Sequence, residues 1–113
     1  MRHDVEDNKP LSEPVVLILA SLAGEPRHGY ALLKDVEEIS GGRVSMSTGT
    51  LYGALRRLLD DGWIRRFDQA DTSRDKQAYA LTATGRKGLD AELDRMKQVM
   101  RAANLRLRES EAR

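Results

Sequence analysis

The chain has no cysteine among its 113 residues. That excludes disulfides and thiolate metal sites, and it favours an intracellular setting. Histidine is nearly as scarce, with only His3 and His28. No glycine-rich phosphate loop follows a strand, and the acidic residues are dispersed along helical stretches as solvated faces, without metal-ligand spacing. The composition therefore reads as that of a protein that is not an enzyme and that needs no metal or cofactor. Aromatic residues make up 4%, too few to build an aromatic cage, and Trp63, the single tryptophan, is assigned to core packing. Long apolar runs are also missing. The longest, Pro14 to Ala20, is far short of the roughly 20 residues that a membrane span needs. Acidic residues near the start (Asp4, Glu6, Asp7) are unlike a signal peptide, so a cytoplasmic location without membrane contact is expected. Nor is there an excess of one charge: the net value is +1. Any cationic face must come from segregation of charge, which makes a nucleic-acid partner harder to read from the totals.

What is present is 40% hydrophobic and 33% charged residues, enough for one small core. The organisation read from the chain is a polar arm over 1–10, a folded domain over 11–82 and a C-terminal helix over 83–113. Ser12-Glu13-Pro14 starts a first helix, Val15 to Ala23, apolar on most sides; Gly24-Glu25-Pro26 stops it. A second helix is expected from about His28 to Ile39, with Gly29, Leu32, Leu33 and Val36 on its buried face. Gly41-Gly42 ends it.

A third helix starts at Ser47 or Thr48, both suited to capping. At 100° per residue Leu51, Leu55 and Leu58 fall on one side, while Gly49, Gly53 and Arg56 point away and Thr50, Tyr52 and Arg57 lie at the edges. Two glycines on an outer helix face cost about 1 kcal/mol each relative to alanine. Either tertiary contacts rescue a poor helix, or the missing side chains let a phosphate chain or groove wall come close. Trp63 to Phe67 and Lys76 to Leu81 read as paired strands around a turn-rich tip, Asp68 to Asp75. Ile64, Tyr79 and Leu81 should face the core, leaving Arg65 or Arg66, with Lys76, for solvent or phosphate. Thr82 caps a last helix from Ala83 to about Arg108. Its apolar positions Leu89, Leu93, Met96, Met100, Ala103 and Leu107 step by 4 and 3, a heptad seam. A helix of about 25 residues extends roughly 38 Å and needs a partner at its far end.

The order helix, helix, helix, strand, wing, strand, long helix resembles the PadR family of bacterial transcriptional regulators. Pro26-Arg27-His28-Gly29-Tyr30 is similar to that family's His-Gly-Tyr signature. Ser47-Thr48-Gly49-Thr50-Leu51-Tyr52 resembles its Ser-Pro-Gly-Thr-Leu-Tyr segment, with Thr48 where many members have proline. Leu81-Thr82-x-x-Gly85-Arg86 looks like its strand-to-helix junction. The resemblance covers about residues 11–90, and the single last helix is similar to the family's short class. It implies a mainly α (α+β) fold, a winged helix-turn-helix with a long C-terminal dimerisation helix. In the wing, Ser73, Asp75, Gln77 and Ala78 replace a glycine, basic residues and an aromatic, so only Arg74 and Lys76 remain of a basic cluster.

The expected function is that of a sequence-specific regulator, a repressor bound as a homodimer to an inverted-repeat operator in double-stranded DNA. Relatives in the family sense phenolic acids, drugs or other stresses, so release by an unidentified small-molecule effector is implied. Candidate DNA-binding residues are Ser47, Thr48, Gly49, Thr50, Tyr52, Arg56, Arg57, Arg74, Lys76, His28 and Tyr30. Arg56 and Arg57 suit a phosphate or a guanine edge; the plainer use is solvated surface, with Arg56 paired to Asp60. Tyr52 either faces the duplex or packs sideways into the core. His28 and Tyr30 open the second helix, whose free N–H groups suit a phosphate; a lone His28 is more often a plain surface residue. Leu89, Leu93, Met96, Met100, Ala103 and Leu107 are the candidate dimer interface. The rival function is a winged-helix module for protein–protein contact without specific DNA binding.

Overall fold

A computed structural model describes residues 10–67 and 77–112. Most of the N-terminal arm, the wing tip, Arg74 and Lys76 lie outside the described residues. The elements within them run α1 (Glu13–Gly24), β1 (Arg27–His28), α2 (Gly29–Ile39), α3 (Thr48–Asp60), β2 (Ile64–Phe67), β3 (Ala78–Leu81) and α4 (Ala83–Glu111). Mainly helical, with a small sheet and a long last helix, this is the architecture expected from the sequence.

Helix α1 starts at its cap: the Ser12 hydroxyl accepts a hydrogen bond from the Val15 N–H at 3.4 Å, and a proline occupies the first turn. Leu17, Ile18, Leu19 and Leu22 are buried, which makes α1 the central helix. They meet Leu32 and Val36 of α2, Leu51, Leu55 and Leu58 of α3, Ile64 of β2, Tyr79 of β3 and Leu89 of α4 in one core. Each fully buried aliphatic side chain there contributes about 1.5–3 kcal/mol, so the leucine stripe of α3 holds that helix by its back.

Strand β1 departs from expectation. Arg27 and His28 pair antiparallel with Tyr79 and Ala78, so α2 begins at Gly29 with His28 as its N-cap residue. A two-residue strand has no period of its own; it forms because the free edge of β3 offers a ladder, a partner about fifty residues away. Arg27 secures it, donating from Nε to the Ser21 carbonyl at 2.9 Å, 3.6 Å from the Asp35 carboxylate. Asp35 in turn accepts from the Ser21 hydroxyl at 2.6 Å. The sheet order is β1-β3-β2. Strand β2 begins at Ile64 rather than Trp63, and β3 at Ala78, so Gln77 lies outside it. Ile64 and Tyr79 are buried as expected, and Leu81 is half-buried.

Between α2 and α3 the chain reverses through Gly41 and Gly42, whose φ of 66° and 85° lie in the left-handed region that favours glycine. Ser40 closes this turn, its hydroxyl accepting from the Val44 N–H at 2.9 Å. An exposed ion pair, Arg43 to Glu13 at 2.6 Å, ties the same loop to α1. The arginine's hydrogen bond holds the Glu13 carboxyl below its ordinary range.

Helix α4 begins at a knot of contacts. Thr82 Oγ1 accepts from the Gly85 N–H at 3.1 Å and donates to the Gly62 carbonyl at 2.6 Å. A Cβ on Gly85 would stand 2.1 Å from the Trp63 carbonyl oxygen, and one on Gly88 2.2 Å from the Trp63 ring. The two glycines therefore let α4 lie directly against Trp63, which uses the tryptophan in packing. The helix has 29 residues, about 43 Å of rise, and outruns the expected end at Arg108. Its buried residues are Gly85, Leu89 and Glu92; beyond these it projects, and the molecule is 62 Å long but only 22 Å thin. Glu92 corrects the reading of all acidic residues as solvated. It is 7% exposed, pairs with Arg95 and accepts from the Leu11 N–H at 3.4 Å, a cap on the incoming chain that no helical period reveals.

Candidate nucleic-acid interface

Helix α3 presents the candidate surface. Its N-cap is Ser47, whose Oγ accepts from the Thr50 N–H at 3.1 Å and donates to Thr50 Oγ1 at 3.0 Å. One donor at the helix start is thereby satisfied, and the hydroxyls of Ser47, Thr48 and Thr50 stand at an exposed, electropositive helix end. Leu51 and Leu55 are 0% and 1% exposed, while Gly49, Gly53, Arg56 and Arg57 lie outside. No close contact among the described residues requires either glycine. A Cβ at Gly53 would meet nothing within 4 Å, and one at Gly49 only the Ser47 hydroxyl at 3.9 Å; neither has positive φ. The tertiary rescue considered from sequence thus comes through the leucines behind, not through the glycines.

Tyr52 is neither fully outward nor part of the core. It is 39% exposed, yet its phenol lies over Gly29, where a Cβ would stand 2.2 Å from Oη. Gly29 is buried for this reason, and the contact sets the spacing of α2 and α3. Tyr79 lies nearby: burial pushes its phenol up, Tyr52 adds to the rise and Arg66 opposes it. Arg56 makes no ion pair with Asp60 among the described residues. Arg57 lies on a different side of α3, at a cavity of about 280 Å³ that it lines with Leu11, Val15, Leu58, Asp61 and Trp63.

At the start of α2, Tyr30 is 70% exposed with Lys34 Nζ 5.7 Å from its ring centroid. His28 is half-buried, not a plain surface residue, and its Nδ1 is buried without a hydrogen-bond partner. Among the described residues no group of three or more His, Asp or Glu is placed to hold a metal, and no helix is long and apolar enough to cross a membrane.

Of the seam residues, Leu89 is 6% exposed and belongs to this chain's own core, whereas Leu93, Met96, Met100 and Leu107 are 39–62% exposed; Ala103 is exposed as well. Two exposed apolar residues escaped the heptad count. Val99, at 63%, borders the seam three residues after Met96 and extends its face. Leu105 lies on another side of the helix.

A helix held by its back beside a three-stranded sheet, with a free polar front, defines a winged helix-turn-helix protein. The model of the transcriptional regulator PadR-like family matches residues 18–91, and the chain belongs to that family, whose members are transcriptional regulators and not enzymes. It is similar to a PadR family transcription regulator from Clostridium difficile R20291, with a TM-score of 0.70 at 24% identity over 85% of this chain and 99% of that one. It is similar to one from Eggerthella lenta DSM 2243 (TM-score 0.62, 28% identity, 84% and 80% covered). It is also similar to Bacillus subtilis PadR, solved in complex with operator DNA (TM-score 0.58, 30% identity, 70% and 45% covered). An uncharacterized 37.1 kDa protein in a transposon of Streptomyces fradiae is 37% identical over 81 residues, 72% of this chain. The chain spans 22% of that relative's length.

Proposed function

We propose that the chain is a sequence-specific DNA-binding regulator, a cytoplasmic repressor that binds an inverted-repeat operator as a homodimer and is released by a small-molecule effector. The observation that carries DNA binding is the outer face of α3. Two glycines stand there in open space, flanked by hydroxyls and Arg56, at a cost of about 1 kcal/mol each relative to alanine that no close packing at the glycines themselves explains among the described residues. A duplex backbone or groove wall at this face makes sense of them, because a bare helix lets it approach. Bacillus subtilis PadR, solved with its operator DNA, supports the same partner. Ser47, Thr48 and Thr50 then meet phosphates at the start of α3, Arg56 reads a base edge through its guanidinium fork, and Arg57 has a secondary part. Tyr30 and His28 lie beside the same phosphate chain at the start of α2. Arg74 and Lys76 are assigned to phosphate on the wing.

The dimer is supported by α4. Among the described residues after Glu92 only Arg95 and Ala102 are even half-buried, and Leu93, Met96, Val99 and Met100 line an apolar groove. Most helical stability in proteins comes from packing an amphipathic face, so a projecting helix with such a stripe calls for a partner, and a second copy supplies an identical one. Selection of duplexes from a random pool tests the whole reading. The expected product is an inverted repeat with half-site centres about 34–36 Å apart. Only asymmetric or single-stranded products, or none, would refute it.

A further inference from the structure

The two arginines of β2 are neighbours in sequence but belong to opposite faces of the sheet. In the ladder Arg66 stands opposite Tyr79, and Tyr79 opposite Arg27, while Arg65 stands opposite Ala80. Side chains alternate along a strand, and directly paired residues share a face. Arg66 therefore shares its face with Ile64, Tyr79 and Leu81, the side that turns toward the core. Arg65 shares the other face with Phe67, Ala78 and Ala80. Ile64 is 2% exposed and Tyr79 5%, but Arg66, two residues further along β2, is exposed. It lies where the core face of the sheet emerges into solvent. Strand β2 itself packs against α3, so that place lies next to the helix.

The two side chains also differ in what already engages them. The Arg65 guanidinium is 5.7 Å from the Phe67 ring centroid, and its NH1 donates to the Arg66 carbonyl at 3.3 Å. The Arg66 guanidinium makes no hydrogen bond or ion pair among the described residues. An exposed arginine with no partner among the described residues, on a strand that packs against α3, is open to a polyanion.

Resting on the DNA-binding reading above, we propose that Arg66 clamps a backbone phosphate of the duplex against which α3 lies, while Arg65, on the sheet's other face, takes no part. A planar guanidinium fork fits phosphate with two parallel hydrogen bonds. The contact fixes register and carries no sequence information.

The test is a salt titration of wild type, Arg66→Ala, Arg66→Lys and Arg65→Ala. The probes are a duplex that the wild type selects from a random pool and a scrambled copy, with circular dichroism checking that each variant is folded. Arg66→Ala should weaken both duplexes alike and flatten the slope of log K against log salt by about 0.9 per lost contact, about 1.8 in a dimer. Arg66→Lys should recover the slope, since the charge remains, and Arg65→Ala should follow wild type. An unchanged slope for Arg66→Ala, or the whole effect in Arg65→Ala, overturns the assignment and leaves DNA binding standing. A loss confined to particular base pairs overturns it too, because a phosphate contact is blind to sequence. A wild type that takes no duplex from the pool removes the DNA-binding reading itself.

Discussion

Replacing Gly53 by alanine should move stability and DNA affinity in opposite directions. Gly53 stands in the middle of α3, without positive φ, and a Cβ there would meet nothing within 4 Å. No strain or clash opposes the added methyl, so the full difference in helix propensity should appear, about 0.8–1.0 kcal/mol in favour of alanine. One kcal/mol corresponds to roughly 4–8 °C in Tm for a domain of about this size, well within reach of a thermal melt. At the DNA the same methyl fills the gap that the glycine leaves. If α3 seats its outer face against the duplex, affinity should fall about tenfold or more, which is 1.4 kcal/mol or more. Melting followed by circular dichroism and titration against the selected operator give the two numbers. A raised Tm with unchanged affinity would refute the argument that the glycine is kept for the duplex. An unchanged or lowered Tm would refute the claim that it has no role within the fold.

Gly85→Ala should behave in the opposite way to Gly53→Ala. Its Cβ would stand 2.1 Å from a backbone oxygen and 2.9 Å from Leu81 Cδ1, so backbone must move and the loss should reach about 3 kcal/mol, read from a denaturant midpoint. Ser47→Ala removes the hydroxyl that accepts from Thr50 N–H and should cost about 1 kcal/mol by the same assay. Changing Leu93 and Met100 together to aspartate places charge on two exposed positions of the α4 stripe. Sedimentation should then show monomers, each folded because neither side chain is in the core, against a dimer for wild type.

Periodic features were legible before any coordinates. The Leu51, Leu55, Leu58 stripe and the Ser47 and Thr82 caps depend on residues a few positions apart, and a helix makes those neighbours. Features made by distant partners were not. β1 exists only because Ala78 and Tyr79 offer an edge to Arg27 and His28, and no local period marks His28 as the cap of α2 rather than its first residue. Leu89 fits the heptad count perfectly well but lies in the chain's own core, because the first turns of α4 pack on α1 before the helix projects. Glu92 looks like a solvated acid until Leu11 and Arg95 are brought to it. In the candidate site, the outward direction of Gly49, Gly53 and Arg56 followed from 100° per residue. The pairing of Tyr52 with Gly29 did not, since it joins two helices. Likewise, the placing of Arg65 and Arg66 on opposite faces of the sheet needed the register with β3.

The central claim, that the outer face of α3 meets double-stranded DNA, is tested most directly by titrating the wild-type protein with its selected duplex across a range of salt. A domain that neutralises about six phosphates should show log K falling with log salt at a slope of about −5, with the selected duplex bound more tightly than a scrambled one at every salt concentration. A slope near zero, or equal affinity for the two duplexes throughout, would contradict it.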